Sequence, residues 1–148
     1  MAVTPTPAFP QTPIIGTVNL AAVSACTTRG PTATASLAAA NITQMLGTST
    51  NGQRIDGIKV KGISTSITAP TAGNVLGIWI WDGTTAYLYD EIVITAVTPS
   101  TTAASFETTY MFERPLMLPA AYRLYASLTV ATTASTTALV AHALGAAL

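Results

Sequence analysis

Apolar and polar residues alternate along much of the chain, in short segments separated by turns rich in Gly, Pro and Thr. Alternation with a period of two places like side chains on one face of a strand, whereas an amphipathic helix repeats near every 3.6 residues. Residues 104–113 and 122–130 alternate most clearly. With about eight such segments at near-regular spacing, the pattern predicts an all-β, antiparallel β-sandwich with a jelly-roll-like strand arrangement.

Residues 74–97 give the strongest local signal, a β-hairpin that turns at Asp82-Gly83. Both strands are apolar on both faces: Val75, Trp79 and Trp81 alternate with Leu76, Ile78 and Ile80, and in the return strand Tyr87 and Tyr89 alternate with Leu88, Ile92 and Ile94. A hairpin with one solvated face would alternate apolar with polar residues. We therefore expect the second sheet to cover one face, and a loop, an arm or another subunit to cover the other.

The remaining segments predict further strands. Residues 14–23 and 137–144 are the expected first and last strands. Residues 32–46 fit either a strand or a short Ala-rich helix, and the Thr-rich ends favour a strand. Residues 54–68 predict a long strand in which the apolar phase changes at Gly57 and Gly62, so β-bulges are expected at both glycines.

The N-terminal residues 1–13 contain Pro5, Pro7, Pro10 and Pro13. Proline excludes a helix and favours an extended, polyproline-like segment. A flexible tail is the ordinary alternative at a chain terminus. We expect an arm that lies on a neighbouring subunit, with Phe9 as its apolar anchor. The predicted organisation is an arm at 1–13 followed by a single sandwich domain at 14–148.

The composition restricts the function classes. Only 8% of the residues are charged, and six basic residues balance six acidic ones. Nucleic-acid binding needs clustered Lys and Arg to neutralise phosphates, so the composition argues against it. A surface with so few charges gives little protection against association. We therefore expect a protein that packs among copies of itself or other partners.

The sequence shows no targeting or membrane segment. The N-terminal residues have neither a basic region nor a following apolar region of the kind found in signal peptides. The longest apolar runs have the length of strands, well short of the ~20 residues of a membrane helix. The expectation is a protein made in the cytoplasm that does not bind membranes and leaves the cell only inside a larger particle.

No constellation of catalytic or metal-binding residues is evident. His142 is the only histidine, predicted at the edge of the core with Val140 and Leu144, and the single Cys26 fits a small buried apolar residue. Asp90 and Glu91 are neighbours on a strand and point to opposite faces, so they fit solubilising or salt-bridging roles. The sequence therefore predicts no catalytic residues, no metal site and no cofactor, and a hydrolytic enzyme on this scaffold is disfavoured.

Two stretches, I-W-I-W-D-G-T-T-A-Y-L-Y-D-E-I at 78–92 and L-M-L-P-A-A-Y-R-L-Y-A-S at 116–127, resemble small jelly-roll virion proteins of tailed bacteriophages, the capsid decoration or cement type. Their pattern is a strand ending in Asp-Gly, a strand ending in Glu, and Leu-Pro-Ala-Gly before a Leu-rich strand. Ala121 stands where the pattern has Gly, and the similarity covers roughly residues 54–130. The resemblance implies a location on the virion capsid surface, binding to a major capsid protein lattice and no enzymatic activity.

Two functions follow as hypotheses. The first is a capsid decoration protein that forms homo-oligomers on the particle. Its expected interface residues are Pro5, Pro7, Phe9, Pro10, Pro13, Trp79, Trp81, Tyr87 and Tyr89. The alternative is a tail or host-recognition β-module in which the Trp and Tyr side chains bind a surface glycan, because aromatic faces stack on sugar rings.

Overall fold

A computed structural model describes residues 12–68 and 71–148. Within them the chain forms nine β-strands and one short 3₁₀ helix at Thr34–Ser36. The strands are β1 (Thr12–Leu20), β2 (Thr32–Ala33), β3 (Thr43–Leu46), β4 (Gln53–Gly62), β5 (Asn74–Trp81), β6 (Thr85–Ile94), β7 (Glu107–Leu118), β8 (Arg123–Leu128) and β9 (Leu139–Ala147).

The strands form two antiparallel sheets. The four-stranded sheet has the order β1-β9-β4-β7, and the five-stranded sheet has the order β2-β6-β5-β8-β3. Apart from the two-residue β2, consecutive strands alternate between the four-stranded and the five-stranded sheet. The one exception is the hairpin of β5 and β6, which are neighbours in the five-stranded sheet. This is the strand arrangement of a jelly roll. The predicted all-β antiparallel sandwich of about eight strands is therefore confirmed, while residues 1–11 of the predicted arm lie outside the described residues.

The main core lies between the two sheets. Its buried side chains include Ile55, Ile58 and Val60 of β4, Leu76 and Ile78 of β5, Leu124 and Leu128 of β8, and Leu139, Ala141 and Ala143 of β9. The small alanines of β9 let this central strand pack closely against the facing sheet. The predicted hairpin is present, and its Leu76 face packs on the other sheet as expected.

The turn of the hairpin is held by Asp82. Asp82 Oδ1 accepts hydrogen bonds of 2.9 Å from the backbone N–H groups of both Thr84 and Thr85. These bonds, that of Thr85 first, lower the pKa of Asp82 below its ordinary value of 3.8. Gly83 supplies the left-handed backbone conformation, with φ at 110°.

The outer face of the five-stranded sheet is covered by the chain itself. Residues 26–42, here called the covering segment, place Cys26, Leu37 and Ile42 over Trp79 and Trp81. Only 1% of the Trp79 surface is exposed. Of the three candidates for covering this face, the loop is the one observed, and the prediction that Cys26 is buried is confirmed.

Several predicted boundaries differ from the structure. Residues 32–46 are neither one strand nor one helix, because β2 and β3 flank the 3₁₀ turn. The first strand begins at Thr12 and ends at Leu20. The predicted strand 54–68 ends at Gly62, and Ile63 and Ile67 are exposed, so the expected bulge at Gly62 is instead the end of the strand. The other expected irregularity is present, because the register shifts between Ile55 and Gly57.

The return strand of the hairpin contains an unpredicted bulge. Ile78 is opposite Asp90, whereas the next residue, Trp79, is opposite Leu88, so Tyr89 is an extra residue in β6. One extra residue reverses the alternation of faces. Leu88 consequently packs in the tryptophan cluster and not with Ile92, which corrects their predicted common face.

Candidate interaction surfaces

The two tryptophans that sequence analysis offered as interface residues are internal to the subunit. The indole Nε1 of Trp79 donates a 2.9 Å hydrogen bond to Ser127 Oγ, and that of Trp81 donates a 2.8 Å bond to Thr34 Oγ1. The guanidinium of Arg123 lies 4.7 Å from the Trp81 ring centroid. Both indoles are covered and hydrogen-bonded, so neither is accessible to a partner of the folded subunit. The Trp81 bond connects Thr34 of the covering segment to the sheet.

The two tyrosines of the same hairpin are accessible. Tyr87 is 47% exposed and Tyr89 is 46% exposed. The arm residues Pro5, Pro7, Phe9 and Pro10 lie outside the described residues, whereas Pro13 lies in β1 opposite Ala146. Of the proposed interface residues, the structure thus leaves Tyr87 and Tyr89 as the exposed aromatic candidates within the described chain.

The outer face of the four-stranded sheet, called the open face, has no covering segment among the described residues. The register aligns Ile15, Leu144, Gly57 and Met111 in one row across β1, β9, β4 and β7. Ile15 is 69% exposed and Met111 is 58% exposed. This row gives the open face a continuous apolar strip in a surface with few charges.

A polar row lies beside the apolar strip. It aligns Thr17, His142, Lys59 and Thr109. The half-buried His142 packs on this outer face, with its Nδ1 2.9 Å from Thr17 Oγ1, while the core side of β9 carries the alanines. The expected position of His142 beside the core is therefore corrected to the outer side of the sheet.

One cluster of charges on the open face is centred on Glu107. Its two carboxylate oxygens each lie 2.9 Å from a lysine Nζ, one from Lys59 and the other from Lys61. The hydrogen bonds from Lys61 and then Lys59 lower the pKa of Glu107 from 4.5 to about 2. All three side chains are 39–44% exposed, so solvent screening keeps the contribution of the cluster to stability small.

A second candidate surface lies where β6 faces the edge strand β7. An open surface depression of about 310 Å³, here called the edge pocket, is lined by Tyr89, Asp90, Tyr110, Phe112, Glu113 and Arg114. The Phe112 ring makes edge-to-face contacts with two tyrosines, at centroid distances of 5.7 Å to Tyr89 and 5.6 Å to Tyr110. The pocket thus combines three aromatic rings with three charged side chains.

Two irregularities in the strands build the edge pocket. Tyr89 is the extra residue of the β6 bulge. On β7, residues 112–115 lie opposite the single residue Asp56, because Met111 pairs with Gly57 and Leu116 with Ile55. Bulges commonly re-aim side chains beside functional sites. No sequence motif indicated a site at Tyr110, Phe112, Glu113 and Arg114. The one signal near them is Pro115, because proline does not fit a regular central strand.

The neighbouring carboxylates Asp90 and Glu91 have separate roles. Glu91 Oε1 accepts a 2.8 Å hydrogen bond from Arg29 Nε at the edge of the covering segment, which confirms its predicted salt-bridging role. Asp90 Oδ2 accepts a 2.8 Å hydrogen bond from the Tyr110 hydroxyl. This bond raises the pKa of Tyr110 above its ordinary value of 10.0. Asp90 therefore orients one wall of the edge pocket.

Three comparisons, with protein-family models, with curated proteins and with solved structures, each find no match to this chain. Across residues 12–68 and 71–148, no three His, Cys, Asp or Glu side chains are grouped closely enough to bind a metal ion. In the same part of the chain, no helix has the length and apolar character needed to cross a membrane.

Proposed function

We propose that the protein is a non-enzymatic virion structural protein of the capsid decoration type, which binds a major capsid protein lattice through its open face. The observation that carries the proposal is the difference between the two sheets. Within residues 12–68 and 71–148, the covering segment buries the outer face of one sheet, whereas the apolar strip of the other is exposed. The shell is the partner that the resemblance to phage decoration proteins implies.

The chemistry of the open face supports a protein partner. Interface cores are depleted in charge and enriched in aromatic residues and Met. The apolar strip ends in Met111, and Met117 of the same strand is also exposed. The lysines beside the strip are both engaged by Glu107. An apolar strip with ion-paired charges on both sides, Glu107 with its two lysines on one and Arg54 with Asp56 on the other, suits a protein partner.

The position of the first strand supports a role for the N-terminal arm. Thr12 begins β1, the edge strand of the four-stranded sheet. Thr12 therefore lies at the edge of the sheet that carries the open face. We expect the Pro-rich arm to extend from this edge across a neighbouring subunit of the particle, with Phe9 in an apolar pocket of that neighbour. Copies of the protein would then be joined to each other as well as to the shell.

Shell binding by variants tests the role of the open face. Ile15→Glu and Met111→Glu each place a charge on the apolar strip, so both should lower the occupancy of purified shells in co-sedimentation. Val93→Glu is the matched control, because Val93 is an exposed apolar residue on the five-stranded sheet. All three positions are solvent-exposed, so the thermal midpoints should change little. Equal occupancy by the strip variants and the control would contradict attachment through the open face.

A further inference from the structure

We propose that the edge pocket binds one ring of a neutral glycan. This function is additional to shell attachment and does not depend on it. It differs from the sequence-based glycan hypothesis in its residues. Trp79 and Trp81 are buried and take no part, whereas Tyr89, Tyr110 and Phe112 form the apolar wall.

The aromatic residues offer the faces that sugars need. Tyr89 is nearly half exposed, Tyr110 is partly exposed, and Phe112 holds both rings through edge-to-face contacts. The hydrogen bond from Tyr110 to Asp90 fixes the second ring. Rings that are already positioned lose little side-chain entropy when a ligand stacks on them. The pocket volume lies at the lower end of the range of about 300–1,000 Å³ for small-ligand sites, which suits a single ring.

The charged residues of the pocket supply the polar half of such a site. Glu113 and Arg114 make no ion pair or side-chain hydrogen bond within residues 12–68 and 71–148. A carboxylate accepts hydrogen bonds and a guanidinium donates them in a fixed geometry. A sugar hydroxyl both donates and accepts, so adjacent hydroxyls can satisfy Asp90, Glu113 and Arg114 together.

Other ligands use these groups less completely. Residues 1–11 of this chain have no charged side chain, so docking of the arm would leave Glu113 and Arg114 without partners. An anion would be repelled by the two carboxylates, and a cation would leave the guanidinium of Arg114 unused. A neutral ligand rich in hydroxyls matches both the rings and the mixed charges. The bulges of β6 and β7 then have a role, because they direct the lining side chains into one pocket.

An NMR titration of the full chain with defined ligands tests the pocket. The probes are maltotriose, mannotriose and triacetylchitotriose, with hexaethylene glycol as a hydroxyl-poor control and a peptide of residues 1–11 as the competing occupant. At least one trisaccharide should shift backbone signals of β6 and residues 110–114 at about 10 mM, the range of weak single-ring binding. Hexaethylene glycol and the peptide should not.

Three variants distinguish the pocket from the rest of the surface. Tyr89→Ala and Glu113→Gln should each weaken trisaccharide binding about tenfold or more. Tyr87→Ala is the matched control, because Tyr87 is as exposed as Tyr89 but does not line the pocket. Glu113 is exposed, so its variant also tests the pocket if Tyr89→Ala fails to fold.

Some outcomes would overturn the glycan site. They are an absence of signal shifts with all three trisaccharides, equal trisaccharide binding by Tyr87→Ala and Tyr89→Ala, and shifts of the pocket signals caused by the peptide of residues 1–11. Shell occupancy of Tyr89→Ala should equal that of the unaltered chain. A failure of the glycan site therefore remains separate from a failure of the capsid role.

Discussion

At the scale of single residues, uncharged polar side chains connect the strands of a protein with few charges. Asn74 links the start of β5 to the end of β8: its Nδ2 donates to the Val130 carbonyl and its Oδ1 accepts from the Val130 N–H, each at 2.9 Å. Thr132 Oγ1 donates a 2.6 Å hydrogen bond to the Leu20 carbonyl. Both side chains are buried, so these bonds satisfy groups that would otherwise be costly to bury.

The carboxylate of Glu107 should make stability depend on pH. Its pKa is lowered to about 2 in the folded state, below the 4.5 of an unperturbed carboxyl. The unfolded chain therefore binds the proton more readily, and the contribution of this group is present above pH 4.5 and lost as pH falls through about 2. Urea unfolding of the unaltered chain and of Glu107→Gln should differ at neutral pH and converge in this acidic range.

Salt and a second carboxylate provide the controls for Glu107. The cluster is solvent-exposed, so 1 M salt, roughly a 3 Å screening length, should reduce the difference at neutral pH. Glu113→Gln removes an exposed carboxylate that has no ion pair within the described part of the chain. It should leave the pH dependence nearly unchanged. A Glu107→Gln protein that loses stability with acid as steeply as the unaltered chain would contradict the assignment.

At the scale of elements, the changes of hydrophobic phase along the strands decide how far the sequence predicts the fold. Gly57 marks a true bulge, and its glycine is required because an added Cβ would lie 2.5 Å from the Tyr110 carbonyl oxygen. Gly62 shows a similar phase change, yet there the strand simply ends. A phase change in the sequence has the same form in both cases, and only tertiary packing distinguishes them.

The edge pocket was beyond prediction for a related reason. The alternation of 104–113 placed Phe106, Tyr110 and Phe112 on one face. In the structure Phe106 is in the core, whereas Tyr110 and Phe112 line the edge pocket. Phe112 is the first residue of the irregular part of β7, residues 112–115. Neither residues 112–115 of β7 nor the extra residue Tyr89 of β6 includes a glycine, the residue that would have indicated a bulge in the sequence. The sandwich could be predicted from the alternation of apolar and polar residues. The pocket could not, because it depends on the two places where regular strand pairing is interrupted.

The covering segment should be a cooperative part of the fold. Leu37 is buried against the two tryptophans, and Leu37→Ala removes most of that contact. We expect a loss of about 2–5 kcal/mol in the free energy of unfolding, as for other buried leucines, together with a red shift of tryptophan fluorescence. Denaturant unfolding followed by fluorescence measures both effects.

An exposed isoleucine is the control for the covering segment. Ile67→Ala, at a largely exposed position, should change the free energy of unfolding by no more than about 0.5 kcal/mol. If Leu37→Ala has an equally small effect, residues 26–42 are not a required cover for the tryptophan face.

At the scale of the whole molecule, the sandwich has two unlike sides. The covering segment closes the five-stranded sheet, and the open face of the four-stranded sheet carries the apolar strip. The edge pocket lies at the β6–β7 edge, whereas β1 forms the opposite edge of the four-stranded sheet. A subunit attached through its open face could therefore present the pocket and the covered side to other molecules.

Removal of the arm tests the proposed link between subunits. A chain that starts at Thr12 keeps all of β1, so it should unfold at nearly the same temperature as the full chain. It should bind shells more weakly, because the proposed burial of Phe9 would contribute about 1.5–3 kcal/mol per copy. Shell occupancy measured against protein concentration gives the comparison, with Phe9→Ala expected to show part of the loss. Equal binding curves would restrict attachment to the sheet and its loops.

The pairing of the first residue of β1 with the last residue of β9 also determines how the domain could be joined to other proteins. Thr12 and Ala147 are paired across neighbouring strands, so the backbone enters and leaves the sandwich at adjacent points. Paired residues of antiparallel strands have Cα atoms only about 4.5–5.5 Å apart. The domain could thus be inserted into a surface loop of a host protein without separating the ends of that loop, and a short linker between β9 and β1 would permit circular permutation.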